Sequence, residues 1–184
     1  VAYDKPVAFM REYLEKIKTA PYNGPKPQHE PPIVLAGMMP KMLQLAGAAT
    51  QGTLTYFTTT EQVALAREAL GPQPWLLAAQ LIMLETDAAK ARAAARKYMQ
   101  IYMAIDHYLY RLRKIGYTDA DFANGGSDRL VDAIIAWGSE EQIREHIAKQ
   151  FKAGATHVSI IPLRSDGRPG PDERAIEAFA PGRG

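Results

Sequence analysis

Four apolar runs rich in strand-forming residues, each followed by a helical segment, constrain this chain more than any other feature. The runs are Ile33-Val34-Leu35-Ala36, Thr53-Leu54-Thr55-Tyr56-Phe57, Trp75 to Leu84 and Thr156 to Ile161. Strands that alternate with helices mean a parallel α/β sheet. These strands read as buried on both faces, as parallel strands are. A parallel sheet of only four strands leaves two edges of unpaired N–H and C=O groups. A closed (β/α)8 TIM barrel removes the edges but needs about 200–250 residues or more. With 184 residues, the chain supplies half of one. The expected fold is therefore a (β/α)8 barrel with only strands 5–8 present, or two half-barrels assembled. A small open α/β sheet is the alternative on pattern alone.

The helices carry their own punctuation. Val7, Met10, Leu14 and Ile17 recur at helical spacing between Lys5 and Lys18. A Pro-rich loop follows to Pro32. Pro40 opens a helix through about Ala49, because proline lacks the N–H that has no helical partner in a first turn. Thr59 with Gln62, and Ser139 with Gln142, have capping-box spacing. Gly71-Pro72 stops the helix that ends at Leu70. Thr86 or Asp87 caps a long helix whose stripe is Tyr98, Ile101, Tyr102, Ile105, Leu109 and Leu112. Gly116 to Gly126 reads as a loop, and Ser127 or Asp128 caps a helix to Trp137. The next helix ends at Gly154, and a short one around Ala175 to Phe179 closes the chain. The expected division is one domain over 1–184: helix and loop to 32, four strand–helix units over 33–163, and a tail over 164–184.

Composition excludes several classes. There is no cysteine, hence no disulfide scaffold, thiol nucleophile or zinc-thiolate site. Twenty-two Lys+Arg against 20 Asp+Glu leave a net charge of +2, too balanced for a nucleic-acid footprint. No apolar run approaches the roughly 20 residues that span a bilayer, so no membrane partner is expected. No two histidines stand at a metal-binding spacing, and no metal is expected. Ser165-Asp166 lacks the G-x-S-x-G context of a nucleophile elbow. Met99, Met103 and Tyr110 read as packing. Ala88 to Ala95, with Lys90, Arg92 and Arg96, reads as a solvated helix face. No signal peptide is visible, so a cytoplasmic location is expected.

Several separate blocks resemble the luciferase-like monooxygenase family, in its branch of F-420-dependent oxidoreductases. They are Ala2-Tyr3-Asp4-Lys5-Pro6, Val34 to Ala46, Tyr56-Phe57, Leu84-Glu85-Thr86-Asp87, Gly125 to Asp132, Ala136-Trp137-Gly138 and Ala153 to Val158. The resemblance covers essentially the whole chain. It implies the C-terminal part of a barrel protein of roughly 300 residues. It also implies hydride transfer between coenzyme F-420 and an organic substrate, or oxygen activation where the cofactor is FMN. The chain begins without Met, which fits a piece of a longer protein.

Three places carry chemistry. At Ala36 to Lys41 a strand ends, Gly37 frees the backbone and Pro40 starts a helix whose free N–H groups favour an anion. The resemblance implies that Ala36, Gly37, Met38 and Met39 lie against the cofactor's ribityl-phosphate tail, mainly through backbone. Lys41 either neutralises the phosphate or is solvated. Resembling sequences have Gly where this chain has Met39. Tyr56, Thr58 and Thr59 end the second strand on the same face and are candidates for a substrate-pocket wall. Alternation sends Tyr56 and Thr58 to one side and Phe57 and Thr59 to the other. Packing against helices is the competing reading. Gly125-Gly126-Ser127-Asp128 opens a helix without the P-loop pattern; it either caps the helix or forms a lid or pocket wall, with Arg129 as an anion contact. Catalytic residues are expected on the earlier strands. A small-molecule substrate and a homodimer complete the expectation. A non-catalytic half-barrel that covers its edges by dimerisation is the alternative of another class.

Overall fold

The computed structural model of the protein describes residues 4–182. Ala2 and Tyr3 of the resembling N-terminal stretch lie outside the described residues. Helix α1 (Pro6–Thr19) precedes strand β1 (Val34–Ala36), which leads into α2 (Pro40–Ala49). Strand β2 (Gly52–Thr55) leads into α3 (Thr60–Leu70). The Thr59 hydroxyl accepts the Gln62 N–H, and the Gln62 side-chain oxygen accepts the Thr59 N–H, both at 3.2 Å. That is the capping box the sequence predicts. Strand β3 (Trp75–Leu84) is buried without interruption from Ala78 to Met83. It leads into α4 (Ala88–Met103), where the Asp87 carboxylate accepts the first free N–H groups. Helices α5 (Asp106–Arg113), α6 (Asp119–Phe122) and α7 (Asp128–Ile134) follow. Then come β4 (Ile135–Gly138), α8 (Glu140–Lys152), β5 (His157–Pro162) and α9 (Glu173–Phe179). No helix among the described residues is long and apolar enough to cross a membrane.

All strand pairs are parallel, so every strand's C-terminal end opens on one side. Strands β1, β2, β3 and β5 are consecutive neighbours. This is an α/β fold with the layout of half a (β/α)8 barrel. Leu77 and Ala78 pair with both β2 and β5, while Leu81 and Ile82 pair with both β4 and β5. Strands β2 and β4 therefore lie end to end along one edge of β3, with β5 on the other. β3 serves three cores, the smallest of which gathers Ile82 with Ala136, Ile143 and Ala175. Leu76 joins Leu35, Leu43 and Val63 under α1–α3. Leu81 and Met83 join Met99, Leu112, Leu130 and Ile135 under α4, α5 and α7.

The structure departs from the sequence reading in five places. Within Gly116 to Gly126, expected to be a loop, Asp119–Phe122 forms the short helix α6, its entry held by the Thr118 N–H, which donates to the Asp121 carboxylate at 2.9 Å. Ile135–Gly138 is a strand, not the end of a helix: the apolar run pairs with β3 beyond the point where β2 stops. Because β4 takes over that edge at Leu81, the second strand ends at Thr55 rather than Phe57. Phe57 turns away with φ +50°, which breaks the expected alternation of Tyr56 to Thr59. The long helix divides at Ala104–Ile105, where Ile105 is extended (φ −108°, ψ 110°). Its continuous stripe is broken, and Ile101 is 71% exposed. Finally, Arg92 and Arg96 are not a solvated face. Arg92 pairs with Asp132 at 2.6 Å and Asp128 at 2.8 Å, and Arg96 also binds Asp128, bolting α4 to α7.

Candidate functional site

The open ends of the strands carry three clusters. The first is the turn after β1. The Thr53 hydroxyl, buried in β2, donates within reach of both the Leu35 carbonyl (2.9 Å) and the Gly37 carbonyl (3.1 Å). Gly37 N–H reaches the Leu54 carbonyl at 3.4 Å. The turn is thus held from below by the neighbouring strand. Ala36, Gly37, Met38, Met39 and Lys41 all line one cleft of about 880 Å³, closed from the other side by Pro6 and Val7 of α1 and His107 of α5. Met39 precedes α2 without a side-chain cap, and the first turn of α2 holds no acidic residue. Pro40 has no N–H, and the Met42 and Leu43 N–H groups both donate to the Met39 carbonyl, at 2.9 and 3.0 Å, so the Lys41 N–H is the one in this first turn left for an anion. A Cβ on Gly37 would stand 2.6 Å from Met42 Cγ. The glycine is therefore required by Met42 of the following helix, a reason that its sequence position did not disclose. Desolvation at the cleft wall, with the Arg111 charge second, lowers the pKa of His107 from its ordinary 6.5. The sequence reading gave His107 no role. Only the break after Met103 brings it here.

The second cluster closes β2. The Tyr56 hydroxyl lies 2.6 Å from that of Tyr98 and 2.9 Å from that of Tyr102, and the last two are 3.3 Å apart. Three hydroxyls have three protons for three contacts. The Tyr98–Tyr102 contact is the longest of the three. Burial pushes Tyr56 well above the usual phenol range, and bonds to Tyr102 and Tyr98 add to it. Burial pushes Tyr98 up to about 12. Both therefore keep their protons at neutral pH. The Phe57 ring stacks on Tyr102 at 4.6 Å and meets Tyr108 edge-on. Arg111 donates to the Phe57 carbonyl at 3.0 Å. Thr59 is committed to capping α3, and Thr58 is buried.

The third cluster stands past β3 and β5. A cavity of about 340 Å³ is lined by Met83 and Leu163 with Tyr98, Lys97, Arg164 and Arg168. Arg164 and Arg168 both bind Asp166, and Arg164 holds its carboxyl well below the usual carboxylate range. Lys97 makes no ion pair among the described residues. The sequence signal that could have found this cluster is Arg164 and Arg168 directly after the last strand.

The remaining candidate lies elsewhere. Arg129 binds Asp121 at 2.9 Å, donates to the Gly116 carbonyl and covers the Tyr117 ring at 4.2 Å. Asp121 is held well below the usual carboxylate range by Arg129, the Thr118 N–H and the Ser127 hydroxyl. Arg129 is thus a paired side chain apart from the cleft after β1. The Gly125–Asp128 segment is fastened to α4, with Arg96 donating to the Gly126 carbonyl at 2.8 Å.

A family model described as luciferase-like monooxygenase matches residues 1–157. No curated protein sequence matches the chain. Among solved structures, the chain resembles a coenzyme F-420-dependent tetrahydromethanopterin reductase from Methanopyrus kandleri, with a TM-score of 0.58 and 20% identity over 80% of this chain and 48% of that one. It resembles an F-420-dependent secondary alcohol dehydrogenase with a TM-score of 0.62 and 16% identity, over 90% of this chain and 58% of that one. An EDTA monooxygenase from Chelativorans sp. BNC1 gives 0.51 and 14%, over 79% and 43%. The chain thus spans about half the length of the structures it resembles.

Proposed function

The chain belongs to the luciferase-like monooxygenase family, and on that premise we propose that it forms the C-terminal half of an oxidoreductase that moves a hydride between coenzyme F-420 and a small organic substrate. The observation that carries this reading is the cleft after β1, where five residues of one turn meet with Lys41 at its rim. The donor set suits the tail of a deazaflavin or flavin: the Lys41 N–H and ammonium for phosphate, Met38 and Met39 as apolar walls. When bound, the coenzyme supplies the hydride chemistry. This chain's residues bind and orient. Lys41, through its N–H and ammonium, holds negative charge, Thr53 fixes the turn, and Tyr98, which keeps its proton, lines the cavity of about 340 Å³ past β3. The neighbours' names, two of them F-420-dependent, support the choice of coenzyme.

The test is an equilibrium titration of the purified protein with F-420 and, separately, FMN, followed by the fluorescence of each. Saturable binding with F-420 at least about tenfold tighter, a gap of about 1.4 kcal/mol, is expected. Tighter FMN binding would assign the protein to the FMN-dependent monooxygenases of the same fold. Binding of neither would leave a non-catalytic module. A homodimer that covers the outer edges of β1 and β5 belongs to the same proposal, checked by the mass of the protein in solution.

A further inference from the structure

We propose that the groove between α2, α3 and α5 is a second ligand site, which takes a small amphiphilic carboxylate on Arg111 and Lys114. The groove holds about 360 Å³, at the small end of ligand pockets. Met38, Met39 and Pro40 line both this groove and the cleft after β1, so the turn is their shared wall. Its other walls are apolar: Leu43 and Ala66 are buried, Ala69 is half-buried, and Leu65 stands 47% exposed at the rim.

Arg111 sets the chemistry. Its residue is only 6% exposed, yet no carboxylate pairs with it among the described residues. Arg92, Arg96, Arg113, Arg129, Arg164 and Arg174 each hold one. Arg67 is the useful contrast. It too lacks a carboxylate, but its three nitrogens all donate to carbonyls, of Gly154, Gly71 and Pro74. Arg111 spends one terminal nitrogen on the Phe57 carbonyl, with the Tyr56 carbonyl at 3.5 Å, sets its guanidinium 5.0 Å from the centre of the Tyr108 ring, and leaves Nε buried without an acceptor. A buried cation with unspent donors is costly unless something negative meets it. Lys114 lines the same groove, also without an ion pair, its ammonium over the Tyr110 ring at 5.2 Å. A carboxylate matches the planar guanidinium fork, and the apolar wall asks for a hydrocarbon body behind it.

Calorimetric titration of the purified protein with octanoate, octanol and acetate tests this. Octanoate supplies charge and body, octanol the body alone, acetate the charge alone. Saturable binding of octanoate, at least about tenfold tighter than either control, is expected. Equal binding of octanol or of acetate would overturn the proposal, the first meaning a merely greasy surface and the second a merely cationic one. Arg111→Gln also loses the Phe57 contact and can fail to fold, so Leu65→Glu is the deciding variant. It places a negative charge at an exposed rim position. It should abolish octanoate binding while F-420 titration stays as in the parent protein. Undiminished octanoate binding by the folded Leu65→Glu protein would overturn the site, whatever the outcome for the coenzyme.

Discussion

The turns after β1 and after β2 occupy equivalent places, at the open ends of adjacent strands, and they are built in opposite ways. The first is held from below by Thr53 and Leu54 of the neighbouring strand, and its outer side faces a cleft. The second is held from above, by Tyr98, Tyr102 and Arg111, partners 42 to 55 residues along the chain. Its aromatic, Phe57, is 1% exposed in a left-handed conformation. A turn secured from beneath keeps its outward surface for a ligand. A turn secured from above is consumed by packing. In this molecule the first faces a cleft, as the proposed binding role requires, and the second anchors the helices that cover the strand ends.

The largest effect should separate the two turns by stability. Phe57→Ala should cost about 3–5 kcal/mol in chemical denaturation, as for other buried aromatics. Met38→Ala, at a cleft wall, should cost under about 1 kcal/mol. Similar losses for both would erase the contrast. Binding should show the reverse. Gly37→Val would press a side chain on Met42 and deform the turn at about 1–3 kcal/mol, weakening F-420 about tenfold or more in a fluorescence titration. An unchanged dissociation constant would remove the coenzyme from this turn. A smaller effect concerns the hydroxyls. Tyr98→Phe deletes two phenol contacts and should cost about 0.5–1.5 kcal/mol; if thermal unfolding shows no change, the trio does not hold the turn.

The smallest effect is in pH, and its sign differs between the turns. Tyr56 and Tyr98 have raised values in the fold. Their stabilisation is complete below the ordinary 10.0 and is lost as pH rises beyond it. His107 has a lowered value, so its contribution is present above 6.5 and is lost as pH falls below that. His146, lowered by burial, adds to the same acid limb. Denaturation midpoints across pH should therefore lose part of the alkaline limb in Tyr98→Phe and part of the acid limb in His107→Gln. An acid limb identical in His107→Gln and its parent would place that histidine outside the folded cluster.

Much of this contrast follows from what local sequence can and cannot encode. The turn after β1 was readable because strand, glycine, proline and helix follow one another within a few residues. The same holds for the capping boxes at Thr59 and Ser139. The turn after β2 was not readable. Its left-handed residue is a phenylalanine, which carries no glycine signal, and it is set by the distant strand β4, at Ile135–Gly138, taking the edge of β3. β4 itself adjoins α7 without a break, so a short apolar run could not be told from the end of a helix. The division at Ala104–Ile105 lacks proline or glycine, yet it alone brings His107 and Arg111 over the strand ends. The unpaired state of Arg111 is likewise a property of distant neighbours, which spacing along the chain does not record.

Amide hydrogen exchange of the protein with and without saturating F-420 tests the central claim most directly. Slower exchange at Gly37, Met38, Met39 and Lys41, with Phe57 to Thr59 unchanged, is the expected result. Saturable binding of F-420 that leaves the amides of Gly37 to Lys41 unprotected would contradict it.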